Sequence, residues 1–272
     1  MEEKTISNGG NPLFYRVIGK GKTVVLIHGF AEDGSIWDKQ VEVLKKNHRL
    51  IIPDLPGSGR SPIQKDMSME GLAASIHEII LSESAIDDHK PIMIGHSMGG
   101  YITLAFAEKY RGSLTAIGLV HSSAFADNEE KKAARRKSIE FIREHGSALF
   151  IQQSTPNLFS EKTRSEHPEI VTELIEKYTN FSPESLVQYY DAMMARPDRT
   201  QIVKEFQGPV LYIIGQHDNA VPLQQSLQQC HMPILAYIHI LRGSGHMGML
   251  EEPALCTRFL EKYLQECEIA NL

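Results

Sequence analysis

The stretch PIMIGHSMGGY, residues 91–101, decides how the rest of this sequence is interpreted. A short apolar run at residues 91–95 predicts a buried strand, and residues 97–110 predict a helix that follows it at once. Glycines stand two positions before and two positions after Ser97, at Gly95 and Gly99. An ordinary loop serine needs no such glycines. A tight strand-to-helix turn does, because strand and helix must pass each other closely there.

The segment from Gly95 to Gly99 fits G-x-S-x-G in a strand–turn–helix context, which is typical of a nucleophile elbow. Such a turn exposes the Ser97 hydroxyl above the sheet edge at a helix N-terminus, where a developing negative charge is favoured. A glycine-rich helix cap with an idle serine is the alternative, because five-residue matches also occur by chance. The flanking strand and helix favour the elbow.

Strand-like and helix-like segments alternate on both sides of this turn. Short apolar runs predict strands at residues 14–18, 23–28, 49–53, 91–95, 114–120, 209–214 and 236–241. Helices are predicted at residues 35–46, with Ser35 as the N-cap, and at 68–84, 97–110, 223–230 and 253–266. Alternation at this spacing predicts a parallel sheet covered by helices.

Residues 123–206 interrupt the alternation, since they are charged, helix-rich and without a strong strand candidate. The sequence thus divides into an α/β core, residues 1–122 and 207–272, and an inserted helical segment, residues 123–206. We expect the insertion to form a cap over the carboxyl edge of the sheet, where ligands bind in open α/β folds.

The overall charge argues against nucleic acid as a partner. The 272 residues carry a net charge of −6, and the hydrophobic and charged fractions, 42% and 23%, are those of an ordinary globular protein. The one basic run, KKAARRK at residues 131–137, follows Glu129 and Glu130 at spacings that suit i,i+4 ion pairs. We interpret it as a solvated helix face rather than a nucleic-acid patch.

The cysteines and the apolar runs favour a cytoplasmic protein without a membrane span. Cys230, Cys256 and Cys267 form neither a disulfide framework nor a zinc spacing, which predicts free thiols in a reducing compartment. The acidic start MEEK leads into no apolar signal region, and no apolar run reaches the ~18 residues that a span needs.

A serine nucleophile needs a base, and the base needs an orienting group. Among twelve histidines, His246 lies in the glycine-rich loop after the last predicted strand. Asp218 lies in the loop after the preceding strand, where its alternative role is a turn former or helix cap. Both loops leave the same sheet edge as Ser97, and the order Ser…Asp…His is the one that this architecture requires. We therefore predict His246 as the base and Asp218 as its orienting acid, with His217 as a neighbour only.

Two backbone N–H groups are expected to hold an oxyanion at this site. Met98 directly follows the candidate nucleophile, and Phe30 lies just after the strand predicted at residues 23–28. These are the two positions that supply such donors beside a nucleophile elbow. We expect the side chain of His28 to brace the loop that carries Phe30.

Five motifs in this order resemble the successive signatures of the α/β-hydrolase superfamily: HGF, DLPGSGRS, GHSMGG, GQHDNAVP and GSGHMGMLEEP, spread over residues 28–253. The resemblance implies an α/β fold with an eight-stranded, mostly parallel sheet flanked by helices, an inserted helical cap, and a Ser–His–Asp triad that uses no metal and no organic cofactor. Three subfamilies can be set aside. Haloalkane dehalogenases and epoxide hydrolases of this fold carry aspartate where Ser97 stands, and lipases with an HGGG oxyanion motif differ from His28-Gly29-Phe30 of this chain.

The pocket is harder to assign. Residues 191–199, DAMMARPDR, are similar to the small carboxylesterase and enol-lactonase-like branch. Met193 and Met194 in that segment are candidates for substrate contact, with plain packing as an equal alternative. His121 and Phe125 leave the sheet next to the elbow and are further candidates, although His121 could equally be a buried residue of the sheet edge.

These observations predict a serine hydrolase of the carboxylesterase type that acts on a small-molecule ester or lactone. Lactone opening, perhydrolysis and carbon–carbon bond hydrolysis use the same triad and remain alternatives. A ligand-sensing signalling protein on this fold is an alternative of another class, which tight binding with near-zero turnover would reveal. The sequence leaves the natural substrate and the oligomeric state open.

Overall fold

Eight strands form one sheet in the computed structural model, which describes residues 1–8, 11–84 and 90–269. The strands are β1 (Glu2–Asn8), β2 (Asn11–Ile18), β3 (Lys22–Ile27), β4 (His48–Pro53), β5 (Ile92–His96), β6 (Ala116–Val120), β7 (Val210–Gly215) and β8 (Ala236–Leu241). Their order across the sheet is β1-β2-β4-β3-β5-β6-β7-β8. β1 and β2 pair antiparallel with each other, β2 pairs antiparallel with β4, and the rest are parallel. The predicted fold class is confirmed.

The strands β4, β5, β6 and β7 are buried along their whole length, as their continuous apolar runs predicted. β1 was missed, and β2 begins three residues earlier than predicted. The sequence of β1, EEKTISN, has no apolar alternation because this edge strand is mostly exposed on both faces. Its hydrogen bonds to β2, in register from Glu2 opposite Val17, define it instead.

Eleven α-helices lie among the described residues. They are α1 (Asp38–Leu44), α2 (Met69–Glu83), α3 (Met98–Lys109), α4 (Glu129–Ser154), α5 (Glu161–Glu166), α6 (Pro168–Tyr178), α7 (Pro183–Ala195), α8 (Thr200–Glu205), α9 (Leu223–Gln229), α10 (Gly248–Glu251) and α11 (Pro253–Ile269). The helix predicted from Ser35 starts differently: Asp33 caps a 3₁₀ turn, Gly34–Trp37, by accepting from the Ser35 N–H, and α1 follows. None of these helices has both the length and the apolar character needed to cross a bilayer.

The segment between β6 and β7 contains α4 to α8 and no strand. It is tied to the loops of the sheet by specific side chains. The Tyr189 hydroxyl in α7 donates to the Pro56 carbonyl at 2.6 Å and lies 2.8 Å from the Ser58 hydroxyl. Arg199, before α8, forms ion pairs with Glu70 in α2 and Glu108 in α3. The start of α8 is therefore anchored on the helices of the sheet.

None of the three cysteines forms a disulfide, as their spacing predicted, and all three are buried. Burial raises the pKa of the Cys256 thiol to about 12, and those of Cys230 and Cys267 to about 11. Because the thiolate is the reactive form, these side chains are chemically quiet.

Candidate active site

Ser97 occupies a strained turn between β5 and α3. Its φ of 51° and ψ of −115° lie in a region that non-glycine residues rarely adopt, at a cost of roughly 1–3 kcal/mol. Backbone hydrogen bonds hold the turn: the Ser97 N–H donates to the Val120 carbonyl at 2.9 Å, and its carbonyl accepts from the Ser122 hydroxyl at 2.7 Å. This geometry presents the Ser97 side chain at the carboxyl edge of the sheet.

The flanking glycines are required by close backbone contacts. A Cβ on Gly95 would lie 2.2 Å from the carbonyl group of Gly99, and a Cβ on Gly99 would lie 2.5 Å from the Ile27 carbonyl oxygen. Both distances are far inside van der Waals contact. The turn therefore excludes any side chain at either position, for the reason that the sequence suggested.

A hydrogen-bonded chain joins the three residues singled out in the sequence. His246 Nε2 lies 2.9 Å from Ser97 Oγ, and His246 Nδ1 lies 2.8 Å from Asp218 Oδ2. The other carboxylate oxygen, Asp218 Oδ1, accepts from the N–H groups of Ala220 and Val221, both at 2.8 Å. Burial alone would raise the pKa of Asp218, but the His246 charge and the hydrogen bonds of its partners outweigh burial and hold the pKa well below its usual range.

Two glutamates fix the loop that carries His246. Glu251 Oε1 accepts from the N–H groups of Gly245 and Met247, at 2.8 and 3.1 Å. Its other oxygen accepts from the Ser160 N–H at 2.8 Å, across the helical segment. Glu252 accepts from the Gly243 N–H at 2.8 Å. The two acidic residues that follow the histidine in sequence thus hold its loop in one conformation.

His121 contacts Asp218 and is 1% exposed. Its Nδ1 lies 3.3 Å from Asp218 Oδ2, and its Nε2 accepts from the Gly248 N–H at 3.2 Å. Nε2 must therefore be unprotonated, so Nδ1–H donates to the carboxylate. Burial lowers the pKa of His121, which agrees with this neutral form. The expectation that His121 lines the pocket is corrected: it is the buried residue of the alternative, and its Nδ1 contacts the same Asp218 oxygen, Oδ2, as His246 Nδ1.

A second carboxylate–histidine pair lies under the site. His96 Nδ1 is 3.0 Å from Glu32 Oε2, and His96 Nε2 is 3.1 Å from the His246 carbonyl oxygen. Both neighbours are acceptors, so the doubly protonated imidazolium satisfies both contacts. Burial opposes that charge, yet Glu32 outweighs burial and raises the pKa of His96, and the pKa of Glu32 is lowered in turn. Glu32 Oε2 also accepts from the Gly29 N–H at 2.7 Å, which links the loop after β3 to the His246 loop.

Of the two residues predicted to supply oxyanion donors, Met98 directly follows Ser97 in the chain and Phe30 lines the same cavity as Ser97. Within the part of the chain that the structure describes, neither the Phe30 N–H nor the Met98 N–H donates a hydrogen bond to another protein group. His28 braces their surroundings as expected, because its Nε2 accepts from the Leu55 N–H at 2.9 Å. Phe30 is further fixed by stacking on Tyr190, with ring centroids 4.4 Å apart.

A cavity of about 270 Å³ opens beside Ser97 and His246. Met193 lines it, together with Phe30 and Tyr190. Three other pocket predictions are corrected: besides His121, neither Met194 nor Phe125 is among its lining residues. Met194 is the next residue along α7, so it points about 100° away around the helix from Met193.

The basic run at residues 131–137 also needs correction, because it has two different faces. Lys132 and Arg136 are paired with Glu129 on the outside of α4, as predicted for a solvated face. Lys131 and Arg135, however, line the cavity. Both pairs have i,i+4 spacing, so the sequence alone could not tell which of them faces inward.

The fold of this chain matches a known protein family. A family model described as the alpha/beta hydrolase fold matches residues 22–253. The chain belongs to the α/β-hydrolase fold family. The resemblance of the five sequence motifs to this superfamily is thereby confirmed.

Relatives of this α/β hydrolase include enzymes with named activities. A thermophilic esterase from Thermogutta terrifontis, solved with malate bound, superposes with a TM-score of 0.91 at 28% identity, over 98% of this chain and 99% of that one. The enol-lactonase from Burkholderia xenovorans LB400 superposes with a TM-score of 0.86 at 21% identity, over 96% and 100%, and shares the fold. A pimeloyl-[acyl-carrier protein] methyl ester esterase from Vibrio cholerae serotype O1 is 24% identical over 260 residues, 92% of this chain and 97% of that protein. This chain is accordingly a hydrolytic enzyme.

Sequence reasoning missed several residues that organise the site of this α/β hydrolase. Glu32 and His96 are 64 residues apart and form no local pattern, so only the folded chain brings them together. Glu251 and Glu252 could have been found, because they stand directly beside the histidine loop. His121, Asp218 and His246 offer donor atoms within 4.8 Å of one another, as a metal site would. Their atoms are already joined by hydrogen bonds to each other, to the Gly248 N–H and to Ser97.

Proposed function

We propose that this α/β hydrolase is a serine carboxylesterase that cleaves a small ester through an acyl-enzyme intermediate. The observation that carries the proposal is the hydrogen-bonded chain from Ser97 Oγ through His246 to Asp218, with distances of 2.9 and 2.8 Å. The serine at its start has a φ of 51°, a conformation that non-glycine residues rarely adopt and that clusters at active sites. Three such side chains, each at the end of a different strand, are typical of nucleophilic catalysis.

In the acylation half, Ser97 Oγ attacks the ester carbonyl while His246 Nε2 accepts its proton. The carbonyl oxygen becomes an oxyanion, which we assign to the N–H groups of Phe30 and Met98. His246 then donates its proton to the leaving alcohol, and the Ser97 acyl ester remains. Asp218 holds the imidazole with Nδ1 protonated and stabilises its charged form, and it stays ionised because its pKa is held low.

In the deacylation half, water takes the place of the alcohol. His246 accepts a proton from that water as it attacks the acyl carbonyl, the same two N–H groups hold the oxyanion, and the proton returns to Ser97. The products are the free acid and the original enzyme. Preorganised oxyanion donors of this kind are worth about 3–4 kcal/mol each in the barrier.

The cavity limits the substrate to a small molecule. Its volume of about 270 Å³ lies just under the range typical of drug-sized ligands. Its walls come from the sheet loops, through Ser97 and His246, and from the helical segment 123–206, through Tyr190 and Met193. This shared lining supports our assignment of residues 123–206 as a cap. The names of two relatives, a thermophilic esterase and a methyl ester esterase, favour an ester over a lactone.

The proposal is tested by hydrolysis of p-nitrophenyl acetate, butyrate and octanoate. Ser97→Ala and His246→Gln should each abolish turnover, while the neighbouring and exposed His217 provides a matched control in which His217→Gln keeps it. The short esters should be preferred because the cavity is small. A fluorophosphonate should also add its mass to Ser97 in the wild type. Full turnover by a folded Ser97→Ala variant would refute the proposal. A folded wild type that hydrolyses no ester but opens lactones would redirect it to that class.

A further inference from the structure

One face of α4 brings positive charge to the cavity, although the sequence suggested only a solvated surface. Lys131, Arg135 and Ser138 lie at helical spacing and line the cavity that also contains Ser97 and His246. Most of the charged side chains elsewhere on α4 are exposed, Arg136 among them, and Lys132 is partly exposed beside Glu129. The position of Lys131 and Arg135 in the cavity wall is therefore not explained by a solvated helix face.

Positive charge exceeds negative charge along this wall. Asp127 pairs with Arg135, at 2.6 Å from Nε, and with Arg196, at 3.0 Å from Nη2, so one carboxylate serves two guanidinium groups. Lys131 forms no ion pair among the described residues, and its Nζ donates to the Ala220 carbonyl at 2.8 Å. Glu32 also lines the cavity, but its charge is matched by the His96 imidazolium. On this side of the site, three cations, Lys131, Arg135 and Arg196, are thus balanced by only one carboxylate, that of Asp127.

The excess of positive charge shifts the pKa of the Tyr101 phenol. Tyr101 lines the cavity, and the Arg196 guanidinium lies over its ring at 3.8 Å. Burial alone would raise the pKa of the phenol, yet the charges of Arg196, Lys131 and Arg135 outweigh burial and lower it. A buried tyrosine shifted in this direction lies in a positive potential.

We infer that the preferred substrate is an ester that carries a second, negatively charged group, a carboxylate, which Lys131 and Arg135 bind while Ser97 attacks the ester carbonyl. This inference rests on the proposed function and adds the substrate class. The ester carbonyl meets the Ser97 side of the cavity, and the carboxylate meets the α4 side. In a cavity of about 270 Å³ the two groups must be close together, as in a hemiester of a short dicarboxylic acid.

The test compares monomethyl and dimethyl esters of succinic, glutaric and adipic acids, with methanol release as the assay. Each pair differs in one charge and one methyl group. We expect kcat/KM of the wild type to be about tenfold higher for the hemiester, the effect of one charge-assisted hydrogen bond between partly exposed groups. Raising NaCl from 0.05 to 0.5 M should reduce that preference by raising KM for the hemiester alone.

Matched variants on the two faces of α4 separate binding from structure. Lys131→Gln should lower the hemiester preference about tenfold, mostly through KM. Lys132→Gln removes the same charge from the outer face one residue away and should leave the preference unchanged. Arg135→Lys retains the charge and should keep part of the preference that Arg135→Gln loses. A purely structural role of Lys131, through its bond to Ala220, would instead reduce turnover of both ester types equally.

The outcomes distinguish this inference from the function on which it rests. Turnover of p-nitrophenyl butyrate that depends on Ser97, together with equal kcat/KM for hemiester and diester, would overturn the inference and leave the esterase intact. Equal effects of Lys131→Gln and Lys132→Gln would overturn it as well. Absence of Ser97-dependent turnover on every ester would instead remove the proposed function itself.

Discussion

Replacing Glu32 with glutamine should destabilise the folded protein most strongly near pH 6. The Glu32 carboxylate accepts two hydrogen bonds, from the Gly29 N–H at 2.7 Å and from His96 Nδ1 at 3.0 Å. Hydrogen bonds to charged groups contribute about 1.5–3 kcal/mol each, and breaking a buried ion pair costs about 3–5 kcal/mol. We therefore expect Glu32→Gln to lower the free energy of unfolding by about 3–5 kcal/mol, a large share of the ~5–15 kcal/mol typical of a domain.

The pH dependence follows from the direction of the two pKa shifts. The pKa of His96 is raised above 6.5, so its stabilisation is complete below that pH and is lost as the pH rises through the raised value. The pKa of Glu32 is lowered below 4.5, so its stabilisation is complete above that pH and is lost as the pH falls through the lowered value. The pair therefore stabilises the fold most between pH 4.5 and 6.5.

The assay is urea unfolding at pH 6 and pH 9 for the wild type, Glu32→Gln, His96→Asn and the double variant. The coupling energy between the two substitutions should exceed ~1.5 kcal/mol at pH 6 and should fall once the pH exceeds the raised pKa of His96. Glu130→Gln, an exposed carboxylate on α4, is the matched control and should change the free energy of unfolding by less than ~0.5 kcal/mol. Additive effects of the two substitutions at pH 6 would refute the ion pair.

Three further predictions concern the turn and the supports of Asp218. His121→Ala should lower the free energy of unfolding by about 2–4 kcal/mol and lower kcat about tenfold, because it leaves the Gly248 N–H without its acceptor. His121→Asn should have a smaller effect on both, since asparagine tolerates the φ of 50° at this position. Urea unfolding and kcat measurements check both variants. Gly95→Ala should prevent the formation of folded, active protein, as measured by circular dichroism and esterase assay. The control, Gly112→Ala, should lower the free energy of unfolding by only ~1 kcal/mol, because Gly112 has a positive φ but no heavy atom within 4 Å of a new Cβ. The pKa of Asp218 is lowered, so its carboxylate stabilises the fold above pH 3.8, and this stabilisation is lost as the pH falls further. In an acid titration, the free energy of unfolding of Asp218→Asn should therefore fall less below pH 3.8 than that of the wild type.

The parts of the fold that could be predicted are those that local sequence determines. The buried parallel strands have continuous apolar runs, and the elbow has glycines that exclude side chains by contact with the backbone. The positions of Asp218 and His246 followed from topology, because loops after parallel strands meet at one edge of the sheet. β1 escaped prediction since its pairing with β2, rather than its own residues, makes it a strand.

The parts that could not be predicted depend on contacts between distant segments. No local pattern marks Glu32 as the partner of His96, because a glutamate near a turn is ordinary and its partner stands 64 residues later. The basic run presented two faces with identical spacing. Which face meets the cavity depends on how α4 packs on α7 and on the loops beside it, and this packing is a property of the whole fold.

The support of His246 explains why a site built on loops can still be precise. Its Nδ1 contacts Asp218, its carbonyl accepts from His96 at 3.1 Å, and its N–H donates to the Leu158 carbonyl at 2.6 Å. Only Nε2 is left, and it faces Ser97. Each support comes from a different segment: the loop after β7, the end of β5, and the helical segment 123–206. Because displacement of a reacting group by about 1 Å can cost ~100-fold in rate, weakening any one support should lower kcat more than it raises KM. His96 thus holds the backbone of His246, the base in our proposal, and Asp218 holds its ring.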